Sequence, residues 1–149
     1  MKILALDIAT KPAETVVSAF IPVVPQPWRR AGKNGKRHYT DAKSDAYRKT
    51  IAWHMKSQLG SFKCTTQPVR LDLEFRFPIP KSWPKYKREN PPRHTSRPDK
   101  DNLEKGVMDA LNGIVWKDDA QIDVGETKKM YAQDFGILIS ITTEEEHGE

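Results

Sequence analysis

Residues Val69–Phe77 have the sequence VRLDLEFRF, and this stretch decides the fold. Apolar side chains occupy every second position, and charged side chains occupy the positions between them. This alternation predicts a half-buried β-strand, because successive side chains of a strand point to opposite faces of a sheet. We therefore expect one face of the strand to lie against a hydrophobic core, and its residues are Val69, Leu71, Leu73, Phe75 and Phe77.

One helix is predicted before this strand in the sequence and another after it. The first spans Asp41–Gln58, where Asp41 can cap the start and Gly60 suits the end. Its apolar stripe repeats every four residues and consists of Tyr47, Ile51, Met55 and Leu59. The second helix spans Asp101–Asn112, with Gly113 in the position after its C-cap. Its buried face consists of Leu103, Val107, Ala110 and Leu111.

Further strands complete the prediction of an α/β (α+β) single domain, in which a small mixed sheet packs with two main helices. Short apolar or β-branched runs predict strands at Lys2–Ile8 and Thr15–Val24. Ile122–Ala132 and Phe135–Thr142 are expected to form a terminal hairpin. We divide the chain into an N-terminal extension or edge strand (1–13), the folded domain (14–143) and an acidic tail (144–149).

Composition excludes several protein classes. The chain has 149 residues, which suits one domain, and only 37% of them are hydrophobic. No apolar run approaches the roughly 20 residues that a bilayer span requires, so we expect no membrane protein. Asp7 interrupts the first apolar run, which argues against a secretory signal. The single cysteine, Cys64, indicates a reducing compartment, and we expect a cytoplasmic protein of a bacterium or phage-infected host.

Positive charge is concentrated in two segments, 26–39 and 80–98. Each has a net charge of +5, and because the whole chain is also +5, the remainder must be −5. Two cationic segments on an acidic protein favour a polyanionic partner such as nucleic acid, although solubilised loops are the alternative. The second segment lies in a proline-rich loop, Pro78–Pro98, whose length is typical of functional or disordered loops.

Acidic residues cluster around the second helix. Asp99 and Asp101 stand two apart just before it, and Asp118 and Asp119 follow it. A structural interpretation is available for the first pair: Asp101 with Glu104 resembles a capping box, and Asp99 could cap the helix. Lys105 would then form a favourable helix pair with Asp101, four residues earlier.

The functional interpretation of the same residues is a metal site. Clustered carboxylates repel one another, so they need a cation or raised pKa values to coexist. All of these ligands are hard oxygens, which suit Mg²⁺ or Mn²⁺, and no Cys/His set has zinc spacing. Beside cations that bind phosphate, such a site suits metal-assisted phosphodiester hydrolysis, in which Lys105 offsets negative charge in the transition state.

The sequence also resembles a known family, the RusA-type Holliday junction resolvases, which are common in phages and prophages. The motifs are FPIPKSWPKYKR at Phe77–Arg88, RPDKDNLEKGVMDALNG at Arg97–Gly113 and VWKDDAQI at Val115–Ile122. Weaker likeness extends over Pro22–Arg30 and Tyr39–Ile51. The most specific feature is the D-x-D-N-x-x-K-x-x-x-D-A-L pattern followed by D-D-x-Q.

The resemblance implies a small α/β homodimer that needs Mg²⁺ and cuts four-way DNA junctions. It implies catalytic residues at Asp99, Asp101, Lys105 and Asp119, and a metal site at Asp99, Asp101, Asp118 and Asp119. The choice between Asp118 and Asp119 as the main ligand stays open, and Asp109 is either catalytic or a solvated carboxylate. A two-fold dimer suits a junction that needs two symmetric nicks.

The cationic segments then become the expected DNA-binding surface. Its residues are Arg29, Arg30, Lys81, Trp83, Lys85, Lys87, Arg88, Arg93 and Arg97. Contacts of this kind with phosphates make affinity depend strongly on salt. Trp83 either stacks on unpaired bases at the crossover or packs the loop onto the body of the domain.

One feature departs from this pattern. Met1–Lys11 resembles the opening strand of RNase H-like resolvases, in which an aspartate that matches Asp7 binds metal. We interpret it as an extension or extra edge strand. The remaining alternatives are a non-catalytic nucleic-acid module, a metal nuclease that uses Asp7 on flaps or RNA–DNA hybrids, and a pseudo-enzyme that partners another phage protein and cannot bind Mg²⁺ or Mn²⁺.

Overall fold

The structure, a computed structural model, describes residues 13–30, 32–34, 37–39 and 42–144. The strand predicted at Lys2–Ile8, the metal-binding role of Asp7, the cap at Asp41 and the tail beyond Glu144 lie outside these residues. In chain order, the elements are β1 (Glu14–Ile21), β2 (Gly32–Asn34), β3 (Arg37–Tyr39), α1 (Ala42–Gln58), β4 (Val69–Pro78), α2 (Lys85–Glu89), α3 (Lys100–Leu111), a 3₁₀ helix (Asp119–Gln121), β5 (Ile122–Val124), β6 (Thr127–Ala132) and β7 (Gly136–Glu144).

The alternating stretch Val69–Phe77 forms β4, the strand on which the main sheet is built. All five apolar residues predicted to face the core are buried, and the charged residues between them are partly exposed. β4 pairs with antiparallel β7 along one edge and with parallel β5 and β6 along the other. β1 pairs with the far edge of β7. The predicted α/β (α+β) single domain with a mixed sheet is confirmed.

The predicted terminal hairpin is wrong. β6 and β7 are consecutive in the chain, but β4 lies between them. Sequence neighbours joined by a short loop usually pair, which is why a hairpin is expected. Here residues 133–135 instead pass the carboxyl end of β4. β7 has a fully buried face of Ile137, Ile139 and Ile141, so the interior position between β1 and β4 suits it better than an edge.

The two predicted main helices are confirmed and pack on the sheet and on each other. α1 buries Tyr47, Ile51 and Met55, and Leu59 packs on the same core. α3 buries its predicted apolar face, together with Gly106. Gly60 and Gly113 follow these helices with φ angles of 60° and 82°, the left-handed conformation that favours glycine. None of the helices in the described part of the chain combines the length and apolarity of a bilayer span.

Both cationic segments contain short elements that sequence analysis misses. The first includes the small β2–β3 hairpin. The second includes α2, which lies within the loop predicted for Pro78–Pro98. β4, this loop, α3 and β6 form a crossover between parallel strands. In open sheets of this kind, ligands bind outside the carboxyl ends of the parallel strands.

Candidate active site

The first acidic pair lies at the start of α3. Asp99 occupies the N-cap position with extended backbone, but its side chain makes no capping hydrogen bond. Asp101 is exposed in the first turn. The expected capping box is absent, because the Glu104 carboxylate instead accepts a hydrogen bond of 2.6 Å from Thr127 Oγ1 in β6. Within the described residues, neither aspartate side chain has a hydrogen-bond or ion-pair partner.

Lys105 follows one turn later, on the exposed side of α3. Its ammonium lies 3.8 Å from the centroid of the Trp28 ring. The ion pair with Asp101 that the structural interpretation predicts is not among those of the described residues. Asp109, four residues after Lys105, is bound instead to Arg48 of α1 at 3.2 Å. The structure thus gives Asp109 a role in joining α3 to α1.

The segment that carries Trp28 is attached to α3 by Asn102. The Trp28 amide donates a hydrogen bond of 2.7 Å to Asn102 Oδ1, and Asn102 Nδ2 donates one of 3.2 Å to the Trp28 carbonyl. Gly106 lies one turn further along α3, and a Cβ added to it would be 3.8 Å from Trp28 Cβ. Sequence analysis missed both Asn102 and Trp28 as functional residues, although the motif D-x-D-N contains the asparagine.

The backbone that enters α3 is held by Lys129 of β6. Its ammonium donates hydrogen bonds of 2.8 Å to the Ser96 carbonyl and 2.9 Å to the Pro98 carbonyl. These two contacts fix the chain directly before Asp99. Pro98 and Asp99 also line a cleft of about 410 Å³ with Pro27, Arg97 and Asn102. The cleft brings part of the first cationic segment next to the first acidic pair.

The second acidic pair is held differently. Asp118 and Gln121 form a capping box around the 3₁₀ helix, in which Asp118 Oδ1 accepts a hydrogen bond of 2.8 Å from the Ala120 amide. Asp119 Oδ1 accepts a hydrogen bond of 2.6 Å from the indole of Trp116, which is fully buried. Gln121 Nε2 also donates to the carbonyls of residues 65 and 67, before β4. The motif D-D-x-Q is therefore a rigid turn.

Within the described residues, no group of three or more His, Cys, Asp or Glu side chains is close enough to hold a metal ion. The predicted four-carboxylate site therefore stays a prediction. The chemistry of the donors does suit Mg²⁺: both carboxylates of the first pair are exposed, and each carboxylate of the second pair has a further oxygen beyond its hydrogen bond.

Most of the predicted DNA-binding cations lie on the surface. The exposed ones are Arg29, Arg30, Lys81, Lys85, Arg88, Arg93 and Arg97, and Lys87 is half-buried. Lys85 has a long ion pair of 3.8 Å with Glu89, the single acid of the second segment. Such an exposed pair contributes little to stability and leaves the positive surface largely intact.

An aromatic column joins the second cationic segment to the sheet. The ring of His94 lies between Phe77 and Tyr131, with centroid distances of 4.2 Å and 4.6 Å. Trp83 packs edge-on against Tyr131, and Lys87 lies over its ring. These contacts favour packing over base stacking as the role of Trp83. Burial lowers the pKa of His94 below its ordinary value of 6.5, and the Lys129 ammonium lowers it further.

Tyr86 is an aromatic residue in this segment that sequence analysis missed. It lies on α2 and is 73% exposed. A lone tyrosine in a basic motif gives no signal by itself, since either Trp83 or Tyr86 could be the residue that packs inward. The structure separates them, because only Trp83 has ring contacts among the described residues.

Comparison with known proteins gives the family. A sequence model described as endodeoxyribonuclease RusA matches residues 21–142. The chain belongs to the RusA endodeoxyribonuclease family. It is also similar to the uncharacterized protein YqaN of Bacillus subtilis (strain 168), with 34% identity over 115 residues, which are 73% of this chain and 81% of that protein.

Membership in the RusA family confirms the resemblance described from the motifs and implies a nuclease that resolves Holliday junctions in DNA recombination. The matched range contains both acidic pairs, Lys105, and the two cationic segments 26–39 and 80–98. Every predicted catalytic, metal-binding and DNA-binding residue lies within it.

Proposed function

We propose that this RusA-family protein is a Mg²⁺-dependent, structure-selective endonuclease. It resolves four-way (Holliday) DNA junctions by paired, symmetric phosphodiester cleavage during recombination and repair. The observation that carries the proposal is the start of α3, where Asp99 and Asp101 are exposed without side-chain partners and the Lys105 ammonium has no carboxylate partner among the described residues. A purely structural helix start would use these charges for caps and ion pairs.

Asp99, Asp101, Asp118 and Asp119 are the proposed metal ligands. Mg²⁺ is usually held by one or two carboxylates together with water and substrate phosphates, so a closed protein cage is not required. When bound, Mg²⁺ would polarise the scissile phosphate and activate an attacking water, and Mn²⁺ can substitute for it. The indole hydrogen bond of Trp116 orients Asp119, which favours it over Asp118 as the main ligand of the second pair.

Asp99, Asp101, Lys105 and Asp119 are the proposed catalytic residues. The three carboxylates would hold the metal ion, and the ion would in turn bind the phosphate. Lys105 extends from the same helix as the first pair, and its ammonium can move from the Trp28 ring to a phosphate oxygen. A positive charge there stabilises the negative charge that develops on the phosphate oxygens during cleavage.

The exposed cations of both segments are proposed to bind the backbones of the junction arms. Each phosphate contact releases counterions, so affinity should fall steeply with salt. Trp83 stays in the proposed surface through Lys87, which lies 4.2 Å from its ring centroid. Tyr86, which is exposed on α2, is the better placed ring for stacking on an unpaired base.

A symmetric homodimer is part of the proposal. Resolution of a four-way junction needs two nicks that are related by two-fold symmetry, and a two-fold dimer supplies two identical sites. Sedimentation of the protein alone and with a junction measures this directly. A monomer in both conditions would contradict the paired mechanism.

The decisive experiment is cleavage of a synthetic four-way junction with and without Mg²⁺. We expect two symmetric nicks with Mg²⁺ and none with a chelator. Linear duplex and flap substrates of the same sequence should be cut much more slowly. Asp101→Asn should abolish cutting and still bind the junction, because it removes a charge that repels phosphate.

Asp134→Asn is the matched control. Asp134, in the loop after β6, is also an exposed aspartate, but it pairs with Arg76 of β4, and this surface ion pair contributes little to stability. This variant should cut as the wild type does. Failure of the wild type to cut any junction, or full activity of Asp101→Asn, would overturn the proposed function.

A further inference from the structure

We propose that Trp28 is the positioning residue of Lys105. This inference rests on the proposed function, because it takes Lys105 to be the residue that meets the scissile phosphate. The Trp28 ring holds the Lys105 ammonium ready for the phosphate and keeps it away from the carboxylates of its own helix. Asn102 fixes the backbone of Trp28, from which the ring reaches Lys105.

Two hydrogen bonds hold the backbone that carries the Trp28 ring. Asn102 bonds both the amide and the carbonyl of Trp28, so the backbone of the tryptophan cannot slide along α3. Gly106, one turn beyond Asn102 on the helix, faces the Trp28 backbone, where an added Cβ would lie 3.8 Å from Trp28 Cβ, an ordinary van der Waals distance. Trp28 itself is only partly exposed. Asparagine is a weak helix former, and here both ends of its side-chain amide bond the Trp28 backbone.

The alternative partners of Lys105 explain why a ring is useful. Asp101 and Asp109 lie four residues before and after it, which is the spacing of helix ion pairs. Neither pair forms among the described residues: Asp109 is held by Arg48, and the Lys105 ammonium lies over Trp28. An ion pair with Asp101 would occupy the ammonium and one of the proposed metal ligands together.

A ring also releases the ammonium more readily than a carboxylate does. The contact between a lysine and an exposed aromatic face is weak, whereas a phosphate offers a full negative charge. The ring therefore holds the ammonium in place before DNA binds, and the ammonium transfers to the phosphate at little cost. Trp28 directly precedes Arg29 and Arg30, so DNA binding to this segment also reaches the ring that holds Lys105.

The test combines cleavage with a direct view of the contact. We compare Trp28→Leu, Trp28→Phe, Lys105→Met and the double variant Trp28→Leu/Lys105→Met in single-turnover cleavage at saturating protein. Trp28→Leu should cut about three- to tenfold more slowly, in line with the strength of a cation–π contact. Trp28→Phe should recover most of that loss. Junction affinity without metal should change by less than about twofold, because affinity depends on several phosphate contacts.

The double variant separates positioning from folding. If Trp28 acts through Lys105, its loss has no further effect once the ammonium is gone, so the double variant should cut at the rate of Lys105→Met. In NMR spectra, the ε-methylene protons of Lys105 should be shifted upfield by the ring current of Trp28, and Trp28→Leu should remove that shift. Trp53→Leu, which removes another exposed tryptophan on α1, is the matched control and should leave both readouts unchanged.

The outcomes are distinguishable. If the wild type does not cut any junction, the proposed function fails. If the wild type cuts and Lys105→Met cuts normally, the catalytic role of Lys105 fails, and the positioning role of Trp28 fails with it. If Lys105→Met is impaired and Trp28→Leu cuts normally, only the positioning role is wrong. If Trp28→Leu slows Lys105→Met by the same factor by which it slows the wild type, Trp28 acts on the fold and not through Lys105, and the inference is overturned.

Discussion

The two acidic pairs of this protein are held in opposite ways. Asp99 and Asp101 have no side-chain partners among the described residues, and their positions depend on the backbone that Lys129 holds. Asp118 and Asp119 are each fixed by a hydrogen bond to one carboxylate oxygen. The first pair therefore contributes negative charge and little structure, whereas the second pair contributes both.

This difference separates two costs that mutations usually mix. A charge without partners in the folded protein can be removed with little loss of stability, so a change in activity there reports function. A carboxylate that bonds a buried indole or caps a helix has a structural role as well. Substitutions that remove the charge but keep the hydrogen bond therefore separate the functional role of a carboxylate from its structural role.

The largest effect is expected at the first pair. Asp99→Asn and Asp101→Asn should each lower the rate of junction cleavage at least about a hundredfold, because each removes a ligand from the proposed ion. Their free energies of unfolding should stay within about 0.5 kcal/mol of the wild type. Single-turnover cleavage and urea denaturation measure the two quantities. If these variants were destabilised by clearly more than about 0.5 kcal/mol, the first pair would also have a structural role, and the contrast with the second pair would not hold.

At Asp119 the effects on activity and stability should separate by substitution. Asp119→Asn keeps an oxygen that accepts from Trp116 but loses the charge, so cleavage should fall at least about tenfold with stability preserved. Asp119→Ala also leaves the buried indole without an acceptor, which should cost about 1–3 kcal/mol of stability. Equal stabilities of the two variants would show that the 2.6 Å contact with Trp116 does not hold the turn.

Asp118 should be mainly structural. Asp118→Ala removes the cap of the 3₁₀ helix, and we expect a loss of about 1 kcal/mol of stability. Asp118→Asn keeps a good capping side chain and should be nearly as stable as the wild type. Cleavage by Asp118→Asn should fall less than that by Asp119→Asn. The reverse order would make Asp118 the main metal ligand of the pair.

The sequence predicts the elements of this fold better than their arrangement. The alternation of Val69–Phe77 and the stripe of Tyr47, Ile51 and Met55 are local patterns, and local patterns determine strands and helices. Whether β6 pairs with β7 or with β4 depends on which strands take the interior positions of the sheet. That is a competition between distant segments, and nothing in residues 122–142 shows its outcome.

The candidate site shows the same division. The spacing of Asp99, Asp101 and Lys105 identifies the residues that carry chemistry. It does not show that Lys105 lies over Trp28, because that contact joins residues 77 positions apart through Asn102. The sequence leaves Trp83 with two roles, base stacking or packing, and only its contact with Tyr131 shows that its ring is already packed.

The smallest expected effect is a difference in pH dependence between the two pairs. Burial lowers the pKa of His94 below 6.5, so the folded state binds fewer protons at this residue than the unfolded state does. Stability from this group is therefore complete above pH 6.5 and declines as the pH falls from there towards the lowered pKa. His94 packs the loop that leads to Asp99, whereas hydrogen bonds of their own hold Asp118 and Asp119.

Hydrogen exchange at pH 7.5 and 5.5, corrected for the intrinsic rates, tests this difference. On acidification, protection should fall in residues 93–101 and stay nearly constant in residues 116–121, because protonation of His94 weakens only the packing of the loop that leads to Asp99. His94→Phe keeps an aromatic ring between Phe77 and Tyr131 but cannot be protonated, so it should remove most of the acid sensitivity. Equal acid sensitivity in both segments would mean that the same contacts hold the two aspartate pairs, and the contrast between the pairs would not hold.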